Sequence, residues 1–226
     1  MTEFLLIRHG ANDYTKSHRL AGWLPGVHLN EHGREQAAAV GQRLAKTKID
    51  AIYASPLERT VETAEAILVH HPGLTLHLLE DLGEIHFGDW QGKELGVLAQ
   101  RKLWHVVQFA PSRMQFPNGE TFRAAQQRAI AALEALHVQH PRQTVAIVSH
   151  SDLLKLIIAH YLGMHLDLFQ RIDVATASLS ILSFSSQFVA VRQLNETSYL
   201  PPEKPPTPEN AVSDVKAEAV DGAAKL

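Results

Sequence analysis

Short apolar runs and helix-period segments take turns along most of this chain. That alternation limits its fold more than any other feature. Residues 4–7 read as a buried strand, and residues 29–46 as a helix with Ala37, Val40 and Leu44 inward and Asn30 as N-cap. Residues 51–54 read as a second strand. Ser55-Pro56-Leu57-Glu58 reads as a capping box with proline at the first helical position, opening a helix to about Val69. Residues 74–79 follow as a strand and residues 80–92 as a glycine-containing loop without clear period. Helices are expected over 93–107 and 120–137, either side of a loop with Pro111, Pro117 and Gly119. A strand at 144–148, a helix at 152–162 and a hairpin of 178–184 with 188–194 complete the body. Such a pattern predicts a three-layer α/β/α sandwich with a mostly parallel central sheet. The closing hairpin predicts an antiparallel edge.

The pattern stops near residue 196. Beyond Tyr199 there is no aromatic residue, and Pro201, Pro202, Pro205, Pro206 and Pro208 are five of the chain's 11 prolines. Residues 1–196 are expected to form one domain, and residues 197–226 a disordered Pro-rich tail. The tail carries five acids and three bases, hence −2 of the net charge of −3, and the body is near neutral. No basic run supports nucleic-acid binding by counterion release. No apolar stretch approaches the ~20 residues of a membrane span. The start, Met1-Thr2-Glu3, lacks the basic segment of a signal peptide. A soluble cytoplasmic enzyme is expected, with its oligomeric state left open.

In open α/β sheets, ligands sit beyond the carboxyl ends of the strands. The predicted strand ends carry Arg8-His9-Gly10, Ser55 to Arg59, Leu82-Gly83-Glu84 and Ser149-His150-Ser151. Two arginines, two histidines and one glutamate suit the movement of a phosphoryl group without metal. Phosphoryl transfer is mostly positioning and charge neutralisation, and guanidinium matches phosphate geometry while staying charged. A neutral imidazole can attack phosphorus when its other nitrogen is held by a hydrogen bond. On this reading Gly10 lets the backbone approach the phosphate, and the helix after His150 aims N–H groups at it. Glu84 could protonate a leaving alkoxide if burial raises its pKa. The residues alone leave open which histidine attacks.

The chain has no cysteine and 14 histidines. A disulfide framework, thiolate metal ligation and a cysteine nucleophile are therefore excluded. His28 and His32 stand four apart, but the sequence between them is not the H-E-x-x-H of a zinc helix. No metal and no cofactor is expected.

The residues at these strand ends resemble the histidine phosphatase superfamily, in its phosphoglycerate mutase-like branch. Leu5-Leu6-Ile7-Arg8-His9-Gly10 is similar to its L-x-x-R-H-G signature, and Leu29 to Ala37 to L-T-x-x-G-x-x-Q-A. Ser55 to Ala64 resembles S-x-L-x-R-A-x-x-T-A, and Glu84 to Gly92 resembles E-x-x-x-G-x-W-E-G. Val148-Ser149-His150 resembles V-S-H-G. The resemblance implies that His9 is the nucleophile and that His150 stabilises the transition state. It implies Arg8 and Arg59 as the phosphate grip and Glu84 as proton donor, then base. Two positions depart from the pattern. Ala11-Asn12 stand where Glu-Thr is frequent, so Asn12 is a phosphate contact through its amide. Ser151 stands where Gly is frequent, as a second phosphate contact or a helix cap, and Asp152 after it is a rival to Glu84 as acid.

The specificity wall is expected in residues 93–122, with Arg101, Lys102, Trp104, His105, Arg113 and Phe116 as candidates. The bases among them could meet a second anionic group. His18, Trp23, Trp90 and Arg101 are the expected substrate contacts, with Trp23 and Trp90 read equally well as core. The resemblance implies a phosphatase acting on a small phosphate ester, because mutases of the superfamily tend to carry a longer insertion between the blocks of Glu84 and His150. A bisphosphate-primed phosphoglycerate mutase and a catalytically silent phospholigand scaffold are the alternatives.

Overall fold

The computed structural model describes residues 1–202. Most of the expected tail, from residue 203 onward, lies outside the described residues. Strand β1 (Thr2–Arg8) leads through the short helix α1 (Asp13–Lys16) to α2 (Glu31–Leu44), capped by Asn30 through its side chain. Then come β2 (Ala51–Ala54), α3 (Glu58–Leu68) and β3 (Leu76–Leu78). Helices α4 (Leu95–Leu98) and α5 (Lys102–Phe109) precede the long α6 (Phe122–Gln139). The chain closes with β4 (Thr144–Ser149), α7 (Ser151–Tyr161), β5 (Leu179–Phe184) and β6 (Val189–Glu196).

The strands form one six-stranded sheet in the order β3-β2-β4-β1-β5-β6. The first four are mutually parallel, and β5 and β6 run antiparallel as the expected edge hairpin. Alternate residues feed two cores, because successive side chains leave a strand on opposite faces. Phe4 and Leu6 face a core covered by α6 and α7, while Leu5 and Ile7 face one covered by α2 and α3. Burial on both faces explains why β4 is almost wholly apolar. Helices on both sides of a mixed sheet make the expected three-layer sandwich.

Register sets where the site falls. Arg8 pairs with Ser149 across β1 and β4, and Ala54 with Val148 across β2 and β4. The carboxyl ends of the three central strands are therefore level. Helix α2 is pressed against the chain just after β1. A side-chain carbon at Gly10 would collide with the carbonyl of Gly33, and one at Gly33 with the carbonyl of Ala11. Gly10 is thus demanded by helix packing.

Three local expectations differ from the fold. Helix α3 begins at Glu58 with Leu57 at the N-cap and no side-chain cap, so the capping box at Ser55 does not form. The span 93–107 is two short helices, because Arg101 is extended and turns the chain between them. The span 80–92 is a loop without regular secondary structure, as expected; it holds two single 3-10 turns and buries Leu82, Ile85, Phe87 and Trp90. The packed chain also runs past 196, since Tyr199 lies against the second core and donates its hydroxyl to the carbonyl of Ala177 at 2.5 Å.

Ile147, on the central strand β4, is fully buried. Ile147→Ala is expected to lower the unfolding free energy by about 2–5 kcal/mol, read from urea denaturation midpoints.

Candidate active site

A cavity of about 380 Å³ opens at the level strand ends, and Arg8, His9, Asn12, Arg59, Glu84 and Ser151 all line it. Asp152 lines it too, on the first turn of α7. His150 stands at the N-cap of α7, with its ring centroid 5.2 Å from that of His9. Four separate segments thus deliver their side chains to one place.

The protonation of each imidazole follows from its partners. His9 Nδ1 lies 2.7 Å from the carbonyl oxygen of Gly10. A carbonyl can only accept, so Nδ1 carries the proton and Nε2 keeps its lone pair. The backbone of His9 is held on both sides, its N–H donating to Ser149 and its carbonyl accepting from Ala177. Burial holds the His9 imidazole well below the usual histidine range, and the Arg59 and Arg8 guanidiniums push the same way. His150 is likewise held neutral, by burial first and then by Arg59. Arg59 Nη2 donates to His150 Nδ1 at 3.2 Å. His150 Nε2 therefore carries the proton and donates to Ser55 Oγ at 2.9 Å. Ser55 Oγ also accepts a long bond from the Leu57 amide at 3.4 Å, and α3 has no side-chain cap. The S-x-L-x-R block contains Ser55, but its place before Pro56 disguised it as a cap.

The guanidiniums are anchored by backbone. Arg8 Nη1 donates to Val174 O at 2.7 Å and Arg59 Nη2 to Gly22 O at 2.8 Å. Arg59 is 1% exposed, and burial lowers its pKa to about 10, which leaves it charged at neutral pH. Among the described residues, Arg8 Nε, Asn12 Nδ2, Arg59 Nε and Arg59 Nη1 are buried donors without a partner in the protein. All four belong to residues that line the cavity. An unpaired buried donor costs about 1–3 kcal/mol, so such a cluster is a hole shaped for an anion.

Glu84 is 9% exposed, and its carboxyl accepts the amide of Ile85 at 3.0 Å. Burial, and next the charge of Asp152, raise its pKa to about 7. Asp152 itself is half-exposed and 3.9 Å from Lys155 Nζ. Asn12 uses its Oδ1 to cap α1, leaving its amide nitrogen free for the cavity. Ser151 Oγ makes a long bond, 3.4 Å, to Val174 O.

The expected substrate contacts divide. His18 and Trp90 line the cavity, and so do Trp104 and Phe116 of the expected specificity wall. Trp23 does not. Its indole N–H donates to the carbonyl of Glu84 at 2.5 Å and its ring stacks on His86 at 4.3 Å. Arg101 is corrected as well: it is exposed at the N-cap of α5, where the bend that separates α4 from α5 turns it outward. Lys102, His105 and Arg113 also fall outside the cavity wall. Arg19, which stands beside His18 in the loop after Arg8-His9-Gly10, lines it too, and sequence reasoning missed only the cation Lys155, which lay outside any recognised block. Among the described residues no helix is long and apolar enough to cross a membrane.

Comparison with known proteins gives the class first: this fold and this sequence pattern are shared by phosphatases. The chain belongs to the histidine phosphatase superfamily (branch 1), whose family model matches residues 4–197. It is similar to Phosphoserine phosphatase 1 of Hydrogenobacter thermophilus, 28% identical over 202 residues that cover 88% of this chain and 95% of that protein. It is also similar to the 2,3-bisphosphoglycerate-dependent phosphoglycerate mutase of Bartonella henselae, 31% identical over 195 residues, 80% of this chain and 92% of the relative. Among solved structures, Bacillus stearothermophilus YhfR superposes with a TM-score of 0.84 at 30% identity, covering 89% of this chain and all of that one (100%).

Removing one guanidinium should expose the anion site directly. Arg59→Ala is expected to weaken binding of inorganic phosphate by about 100-fold or more, measured by titration calorimetry.

Proposed function

We propose that this chain is a metal-independent phosphomonoesterase that hydrolyses small phosphate esters through a phosphohistidine on His9. The observation that carries the reading is the cluster of buried, unpaired Arg8, Arg59 and Asn12 donors beside an imidazole whose Nε2 lone pair is free. The cationic charge that a metal would otherwise supply is present as two guanidiniums.

The substrate phosphate settles among the Arg8, Arg59 and Asn12 donors, its oxygens replacing the missing partners. The His9 Nε2 lone pair attacks phosphorus and the P–O ester bond breaks. Glu84, protonated near neutral pH, gives its proton to the departing alkoxide. His150 lies beside the equatorial oxygens, and its proton on Nε2 is held by Ser55. In the second half, the Glu84 carboxylate takes a proton from water. The hydroxide attacks phosphorus, the P–N bond breaks, and its electron pair returns to His9. Phosphate leaves and every group regains its starting state.

The likeness to a mutase supports a second reading, in which a substrate hydroxyl replaces water as acceptor. Measurable interconversion of 3- and 2-phosphoglycerate with bisphosphate would favour it over hydrolysis. Inactivity on a broad panel of phosphate esters would favour a silent phospholigand scaffold instead.

His9→Ala is expected to lower kcat by more than about 100-fold and to abolish incorporation of radiolabelled phosphate into protein, with wild-type activity unchanged by EDTA. Retained activity, or EDTA sensitivity, counts against the proposal. The pH profile gives a second check. Glu84 must be protonated to act as acid, and its pKa is raised to about 7. For an alkyl phosphate, kcat/KM is therefore expected to fall as pH rises through about 7, and Glu84→Gln is expected to remove that fall.

A further inference from the structure

Glu84 lies on a segment without regular secondary structure, between the turns Glu80–Leu82 and Gly88–Trp90. A proton donor must nevertheless be held close to its productive geometry, and small misplacements lower rates steeply. What holds the segment lies outside the cavity. Arg128, on α6, does not line the pocket. Its Nη1 donates to the carbonyls of Asp81 at 2.7 Å and Gly83 at 2.9 Å. Its Nη2 donates to the carbonyl of Glu84 itself at 3.0 Å.

The guanidinium is fixed in turn. Its Nε and Nη2 donate to the Glu120 carboxylate at 3.2 and 2.8 Å. Glu120 Oε1 also accepts the amide of His86 at 2.8 Å, and the Glu120 amide donates to the His86 carbonyl at 2.9 Å. The side chains of Arg128 and Glu120 are only 18% and 15% exposed, so water competes weakly for these bonds. One planar fork thus spans three carbonyls on the approach to the acid. Its anchor grips the segment just beyond it, and Trp23 adds a second donor to the Glu84 carbonyl. Lysine cannot reproduce this, because it has one nitrogen and no fork.

We propose that Arg128, gripped by Glu120, is the positioning residue of the proton donor, holding residues 81–86 so that the Glu84 carboxyl meets the leaving oxygen. The proposal rests on the reading of Glu84 as acid. Arg128 exchanges no proton and touches no substrate.

The test uses leaving groups that differ in their need for a proton. An alkoxide must be protonated as it leaves, whereas p-nitrophenolate leaves without one. Single-turnover rates of phosphoenzyme formation are measured on the full chain with glycerol phosphate and with p-nitrophenyl phosphate. The readout is the ratio of the two rates, which cancels any fraction of unfolded protein. In Arg128→Lys and Arg128→Met the alkyl-to-aryl ratio is expected to fall at least about tenfold, with a smaller fall in Glu120→Gln. A merely structural role would lower both rates together, and a ratio within about twofold of wild type in both Arg128 variants overturns the proposal. Glu84→Gln serves as the reference, with an expected fall of about 100-fold or more. If its ratio is unmoved, the acid assignment falls and the positioning role with it. If the ratio moves there but not in the Arg128 variants, the positioning role alone is wrong.

Discussion

Two guanidiniums held out of water with part of their hydrogen bonding unmet are the constraint on which the rest of the structure depends. Arg8 and Arg59 are each tied by one bond to a backbone carbonyl, Val174 and Gly22, and Arg59 also donates to His150, which leaves Arg8 Nε, Arg59 Nε and Arg59 Nη1 without a partner in the protein. A scaffold that could relax would collapse around them or let water in. The parallel strands cannot relax easily, because both faces are buried and their ends are level. The neighbours are set by the same enclosure. Burial of the imidazoles, and next the charge of Arg59, keeps His9 and His150 uncharged, and burial of its carboxyl raises Glu84. Neutral imidazoles and a carboxyl that titrates at about 7 therefore coexist, each set first by burial and then by a neighbouring charge.

The far side of the cavity has a different character. The arginines and lysine that could have met a second anion from the variable segment lie off the wall, whereas Trp90, Trp104 and Phe116 are on it. The turn at Arg101 produces this exchange by separating α4 from α5, so that Leu95 and Val107 both face inward. The strand ends thus supply the cationic side of the cavity, and the bent segment of α4 and α5 supplies an apolar one. The two halves can vary independently.

Much of this was legible in residue order. Strand–helix alternation predicted the sandwich, and the strand-end rule pointed to Arg8, His9, Arg59, Glu84 and His150 as neighbours; the structure brings the first four to one cavity and buries His150 against His9 and Arg59. What stayed hidden depended on long-range contacts. Ser55 looked like a helix cap because nothing local shows that an imidazole almost a hundred residues away will take its hydroxyl. Trp23 read equally as core or substrate wall, and it lies off the cavity with its indole N–H donated to the Glu84 carbonyl. Arg101 stood in a helical pattern whose break no proline or glycine at that position announced. Residues 80–92 lacked a period because their order comes from 3-10 turns and from the Arg128 and Glu120 side chains. Gly88 shows the same hidden geometry: it has a positive φ of 53°, and a side-chain carbon there would strike the Pro117 carbonyl.

Tyr199 gives the fold an anchor point with practical weight. Its hydroxyl holds the carbonyl of Ala177, and the amide of that same residue holds the carbonyl of His9. Two hydrogen bonds thus connect the end of the packed chain to the residue read as nucleophile. Anyone trimming the protein for crystallisation, or grafting a reporter onto its carboxyl side, should place the junction after Leu200. A cut at 196 would remove a strut behind His9 while seeming to shorten only a tail.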